Sequence, residues 1–84
     1  MSHHVKLLDT VALLKDYQDD SVTLKRGEIG AVVELLAPNV YEVEFCDWRG
    51  RAYAFASVPA NQLLVLHNQG KKWEPATLPL QQAA

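Results

Sequence analysis

The segment Tyr41-Glu42-Val43-Glu44-Phe45 alternates apolar and acidic side chains at a period of two. That spacing predicts a half-buried β-strand, because an α-helix would scatter the same residues over both of its faces. Turn signals bracket it. Pro38-Asn39 precedes it, with proline presetting φ and asparagine tolerating the left-handed region. Asp47-Trp48-Arg49-Gly50 follows, read as a four-residue hairpin loop leading into a returning strand over 51–58. Pro59-Ala60-Asn61-Gln62 then suits one tight helical turn with proline at its start, and Leu63-Leu64-Val65-Leu66 reads as a short final strand.

Upstream, the apolar run over 7–15 fits either a buried strand or a short helix by periodicity alone. Its shortness, and the polar stretch Asp16-Tyr17-Gln18-Asp19-Asp20-Ser21 after it, favour a strand over 10–15. Residues 16–27 read as a long polar loop carrying Lys25 and Arg26. A second strand over 27–36 opens through two glycines, a turn at Gly27 and a bulge at Gly30. Five short strands, a long first loop and one helical turn before the last strand predict an all-β fold. The expected architecture is a small five-stranded SH3-like barrel whose closure removes exposed sheet edges. At 84 residues there is room for one domain, placed at 1–67, with a C-terminal tail over 68–84 whose large apolar group is Trp73.

Charge and cysteine content narrow the function. A net charge of −2 argues against a protein whose main work is gripping phosphate backbones. Cys46 is the single cysteine, so no intrachain disulfide reinforces the fold, and a lone thiol fits a reducing compartment. Met1-Ser2-His3-His4-Val5-Lys6 holds no apolar run suited to a signal peptide or membrane span, so a cytoplasmic protein without membrane contact is expected. A domain this small buries only about 60–65% of its unfolded surface, which makes a homo-oligomer a natural source of extra stability.

No residue set predicts catalysis. His67 has no evident partner, Asp19-Asp20 reads as solvated charge in a loop, and Glu42 and Glu44 share a face because the strand alternates. His3-His4 reads as a terminal tail rather than a metal site, and Gly27 and Gly30 open a strand, not a phosphate-binding helix. No enzyme activity, cofactor or metal is expected. The candidate partner-binding residues are Trp48, Arg49, Arg51, Tyr53, Phe55 and Trp73. With a loop at 47–50, Cys46 pairs with Arg51, Phe45 with Ala52, Glu44 with Tyr53, Val43 with Ala54 and Glu42 with Phe55. Tyr41, Val43 and Phe45 then share the core face with Ala52, Ala54 and Ala56, and Tyr53 and Phe55 stand outside. A register change of one residue would put both aromatics in the core instead. Trp48 either anchors a partner at the hairpin tip or folds back over the barrel mouth. An outer aromatic face calls for a cover, and a symmetric homodimer burying Tyr53 and Phe55 is expected, the tail lying along its edge or wrapping the neighbour.

Taken together, four stretches carry a resemblance: 8–14 (Leu-Asp-Thr-Val-Ala-Leu-Leu), 24–33 (Leu-Lys-Arg-Gly-Glu-Ile-Gly-Ala-Val-Val), 41–45, and 50–63 from Gly50-Arg51 to Leu63. Over about residues 7–66 the chain resembles a family of short bacterial proteins known as domain of unknown function 4926. The resemblance implies an SH3-like barrel, no known enzyme activity, and an antitoxin or immunity role beside toxins or nucleases. Residues 27–33 more weakly resemble the KOW-type segment of ribosomal and transcription barrels. The leading expectation is therefore a protein-binding module, antitoxin-like or an accessory subunit. The alternative is a nucleic-acid or ribosome-associated barrel using Lys25, Arg26, Trp48, Arg49 and Arg51.

Overall fold

The computed structural model describes residues 5–67. Seven strands follow one another: β1 (Thr10–Leu13), β2 (Tyr17–Gln18), β3 (Thr23–Leu24), β4 (Ile29–Ala37), β5 (Val40–Cys46), β6 (Ala52–Pro59) and β7 (Leu63–Leu66). A single 3-10 turn over Ala60–Gln62 separates β6 from β7, with Pro59 at φ −67° as its N-cap. The fold is all-β, and each of the five expected strands is present within a few residues of its expected bounds. Leu7 and Leu8, read from sequence as the start of an apolar run, instead form an exposed turn closed by a bond from the Asp9 N–H to the Lys6 carbonyl.

Five strands build one antiparallel sheet in the order β6-β5-β4-β1-β7, and β2 and β3 make a separate two-stranded ribbon. That ribbon was not legible in the stretch expected to be a plain loop. Asp19 makes it, because its Oδ1 accepts the N–H groups of Ser21 and Val22 and turns the chain between the two strands. Among the described residues no ladder joins β6 to β7, so the sheet is open rather than the closed barrel expected. From that ribbon the Tyr17 hydroxyl comes near the Ser57 backbone of β6.

β4 bends the sheet. Its ladder with β5 shifts between Val32 and Glu34 and again between Leu35 and Ala37, so its first half faces the core and its second half is exposed. The bulges fall there and not at Gly30, contrary to the sequence expectation. Gly30 is instead a close approach: a Cβ built on it would meet the Glu44 carbonyl oxygen and Val43 Cγ1 at 2.7 Å and Phe45 Cδ2 at 3.0 Å. Only absent side-chain volume lets β4 cross β5 at that point. Gly27, by contrast, has φ +95° and makes the expected turn.

The core comprises Val11, Leu13, Leu24, Val32, Val43, Phe45, Ala54, Ala56, Val58 and Leu63, with Val5 at its margin. Val5 is held by its carbonyl, which accepts the Tyr41 hydroxyl at 3.1 Å. In the β5–β6 hairpin the register is Phe45↔Ala54, Glu44↔Phe55, Val43↔Ala56 and Cys46↔Ala52, with an irregularity between Phe45 and Cys46. Compared with the expected pairing, β6 has slipped by two residues along most of its length. A slip of two keeps every side chain on its face, so Ala54 and Ala56 are buried and Tyr53 and Phe55 stand outside. Ala52, expected in the core, is exposed beyond the irregularity.

Candidate functional site: the β5–β6 hairpin and the outer sheet face

The hairpin loop is held by one carboxylate. Asp47 Oδ1 accepts the N–H groups of Arg49 at 2.8 Å and Arg51 at 3.0 Å, and the Asp47 N–H donates to the Arg51 carbonyl at 2.8 Å. The loop therefore spans 47–51, one residue longer than expected, and Gly50 turns it at φ +81°. Trp48 projects from this frame and is 87% exposed. It does not fold back over the core. The Arg49 guanidinium lies 4.8 Å from the centre of its ring, so one face of the indole is stacked by a cation. Arg51 is spent differently, its Nε 3.7 Å from Asp47 Oδ2 in a solvent-exposed pair.

The outer sheet face begins beside that loop. Tyr53 and Phe55 are 52% and 50% exposed. Tyr53 is steadied from both ends: its ring lies 6.4 Å from that of buried Phe45, and its hydroxyl donates to Glu28 Oε1 at 2.7 Å. The Glu28 bond, then burial, pushes the Tyr53 hydroxyl up to about 12. A raised folded-state value means that this contribution to stability is present below about pH 10 and lost as pH rises through about 12. We expect thermal melting of native protein and Tyr53→Phe, compared across that window, to show the native advantage shrinking; a constant difference would remove the Glu28 bond from the account.

One register row crosses the whole face: Leu66 lies opposite Thr10, Thr10 opposite Ala31, Ala31 opposite Glu44, and Glu44 opposite Phe55. Ile29, Ala12 and Leu64 form a neighbouring row, with Ile29 54% and Leu64 46% exposed. Sequence reading missed Ile29, Leu64 and Leu66 as surface residues. Their runs are apolar throughout, so no polar alternation marked one side as outward, and only the register assigns them. Glu42 lies directly opposite Glu34, two like charges in one cross-strand pair.

The remaining candidates are separate. Lys25 and Arg26 lie by Asp16, which pairs with Lys25 Nζ at 4.0 Å and accepts the Arg26 N–H at 2.8 Å. Arg26 borders a shallow open depression with Leu14, Lys15 and Asp16, while the Lys25 N–H donates to Glu28 Oε2, on the carboxylate that also accepts the Tyr53 hydroxyl. Hydrogen bonds from the Ser21 N–H and the Tyr17 hydroxyl hold the Asp19 carboxyl below its ordinary range, in keeping with a turn-forming role. Desolvation, with Glu44 and Asp47 adding to it, pushes the Cys46 thiol up, away from the thiolate a nucleophile needs. His67 is exposed, and among the described residues no three His, Cys, Asp or Glu side chains group to hold a metal ion. Among the same residues no helix is long and apolar enough to cross a membrane. Trp73, His3 and His4 lie outside the described residues.

An all-β domain with an aromatic hairpin tip and an apolar outer face is the class defined here. The chain belongs to the family described as domain of unknown function (DUF4926), whose model matches residues 7–65. No curated protein and no solved structure matches it.

Proposed function

We propose that this chain is a non-catalytic protein-binding module of the SH3-like class, an antitoxin-like or accessory subunit acting in a reducing compartment such as the cytoplasm. The strand order β6-β5-β4-β1-β7 and the 3-10 turn before β7 support the barrel class. The observation that carries the binding reading is Trp48, 87% exposed on a loop fixed by Asp47 and stacked on one side by Arg49. A large ring held out in water gives the isolated domain nothing, whereas a preorganised tryptophan is an effective interface anchor. Tyr53 and Phe55 extend the same hairpin into a docking surface. Of the four basic side chains of the nucleic-acid alternative, Lys25 pairs with Asp16, Arg51 with Asp47 and Arg49 lies on the Trp48 ring, which favours a protein partner.

Native protein used as bait is expected to retain a partner that Trp48→Ala and Phe55→Ser both lose. Retention is expected to persist as salt rises, because apolar anchoring lacks the steep salt dependence of phosphate contacts. Trp48→Ala is expected to change stability by less than about 0.5 kcal/mol, as for an exposed surface residue. Binding that collapses with salt, or a bound nucleic acid, would favour the alternative reading.

A further inference from the structure

β6 is an edge of the sheet, and it lacks most of the devices that keep an edge strand from pairing. Its eight residues, Ala52–Pro59, carry no charged side chain, and its proline stands at the last position. It is twice as long as β7 at the opposite edge, and its one irregularity falls at the loop end, beside Cys46. The ladders fix where its backbone groups point. The Val32 N–H bonds to Asp9, so Ala31 bonds to Glu44, and Val43 and Phe45 turn their groups toward Ala56 and Ala54. The Tyr53 carbonyl and the Phe55 N–H and carbonyl therefore point off the edge, where no backbone group among the described residues meets them. The loop tied by Asp47 bounds this open stretch at Arg51, and Tyr17, whose hydroxyl comes near Ser57, bounds it at the other end.

We propose that two copies of this chain join along β6, antiparallel about a two-fold axis at Ala54, into one continuous sheet. In that register the Phe55 N–H of each copy donates to the Tyr53 carbonyl of the other. Tyr53 then lies opposite Phe55 on either side of the axis, an aromatic cross-strand pair each time. Charge selects a second copy over a foreign strand. Arg51 comes level with Ser57 of the second copy, where the Tyr17 hydroxyl donates to Asp19 Oδ2 at 2.9 Å. The exposed Arg51 guanidinium thus meets the Asp19 carboxylate of the other chain, and the symmetry repeats the pair. Between the two pairs the joined strands carry no charge to oppose the contact. The hairpin loops point to opposite ends, so both Trp48 rings stay free, and the inference goes beyond partner docking without depending on it.

Sedimentation of the full chain from micromolar to millimolar concentration is expected to pass from monomer to dimer mass. Over the same series, hydrogen exchange at the Phe55 amide is expected to slow about tenfold or more, while the Ala56 amide, bonded within its own chain, stays unchanged. Tyr53→Lys with Phe55→Lys sets like charges opposite each other and is expected to hold the chain monomeric. Tyr53→Lys with Phe55→Glu sets opposite charges there and is expected to restore the dimer. Arg51→Ala is expected to weaken it several-fold. Should the lysine pair unfold the chain, the exchange series on the native sequence decides alone. Monomer mass throughout, a dimer whose Phe55 amide exchanges as fast as the monomer's, or a dimer indifferent to the charges at 53 and 55 overturns the proposal. Trp48-dependent capture by a monomeric chain leaves the docking reading standing by itself. A dimer that captures nothing does the reverse.

Discussion

Gly30→Val is expected to remove the cooperative unfolding transition altogether. The contact that forbids a side chain there is with backbone: the Glu44 carbonyl oxygen would lie 2.7 Å from the new Cβ, and a main-chain oxygen cannot swing aside as a side-chain tip can. Extra methylenes in a packed interior typically cost about 1–3 kcal/mol even where neighbours repack. Valine brings three carbons into a crossing that has no room for one, so the cost is expected to exceed that range and to approach the whole stability of a small domain, about 5–15 kcal/mol. Gly30→Ala is expected to lie at the top of the 1–3 kcal/mol range, about 3 kcal/mol. Urea denaturation reads both; a valine variant that folds with an unchanged midpoint would show that β4 and β5 do not approach as described. Valine's preference for strands is irrelevant at this position, since the obstacle is space.

Phe45→Ala is expected to cost about 3–5 kcal/mol, the usual range for deleting a buried phenylalanine. Phe45 is fully buried, lies between the Gly30 crossing and the Tyr53 ring, and is the largest fully buried side chain among the described residues. Its removal also withdraws the support under Tyr53, so a weaker Tyr53–Glu28 bond should accompany the loss of stability. The double variant Phe45→Ala, Gly30→Ala is informative because the two positions touch. Alanine at 45 clears the Cδ2 contact but leaves the Glu44 carbonyl in place, so little of the Gly30→Ala cost should be recovered. A full rescue would assign the obstruction to the phenyl ring rather than to the main chain.

What the sequence disclosed follows its strongest local signals. The alternation through Phe45 gave β5 its faces, Asn39 at φ 63° turned the chain where Pro38-Asn39 was read as a turn, and Leu63–Leu66 formed the final strand as expected. Outward placement of Tyr53 and Phe55 survived an error in register because the slip was by two residues, and a slip of one would have reversed it. What was hidden depended on distant partners. Gly30 looked like a local break, yet its reason is a carbonyl fourteen residues away in another strand. The β2–β3 ribbon was invisible because each strand has only two residues, and Asp19, not hydrophobic pattern, shapes the turn between them. Trp48 could not be placed from its neighbours in sequence, since whether a loop tip folds back depends on the hydrogen bonds that Asp47 makes beneath it.

The central claim is that the β5–β6 hairpin is the surface this domain offers to a protein. Nuclear magnetic resonance titration of the labelled chain with the partner it retains tests that most directly. The account requires the largest shifts at the Trp48 indole N–H and at the backbone amides of Arg49, Tyr53 and Phe55, with Leu14, Lys15 and Arg26 unmoved. Shifts concentrated around Leu14, Lys15 and Arg26, with Trp48 unchanged, would contradict it.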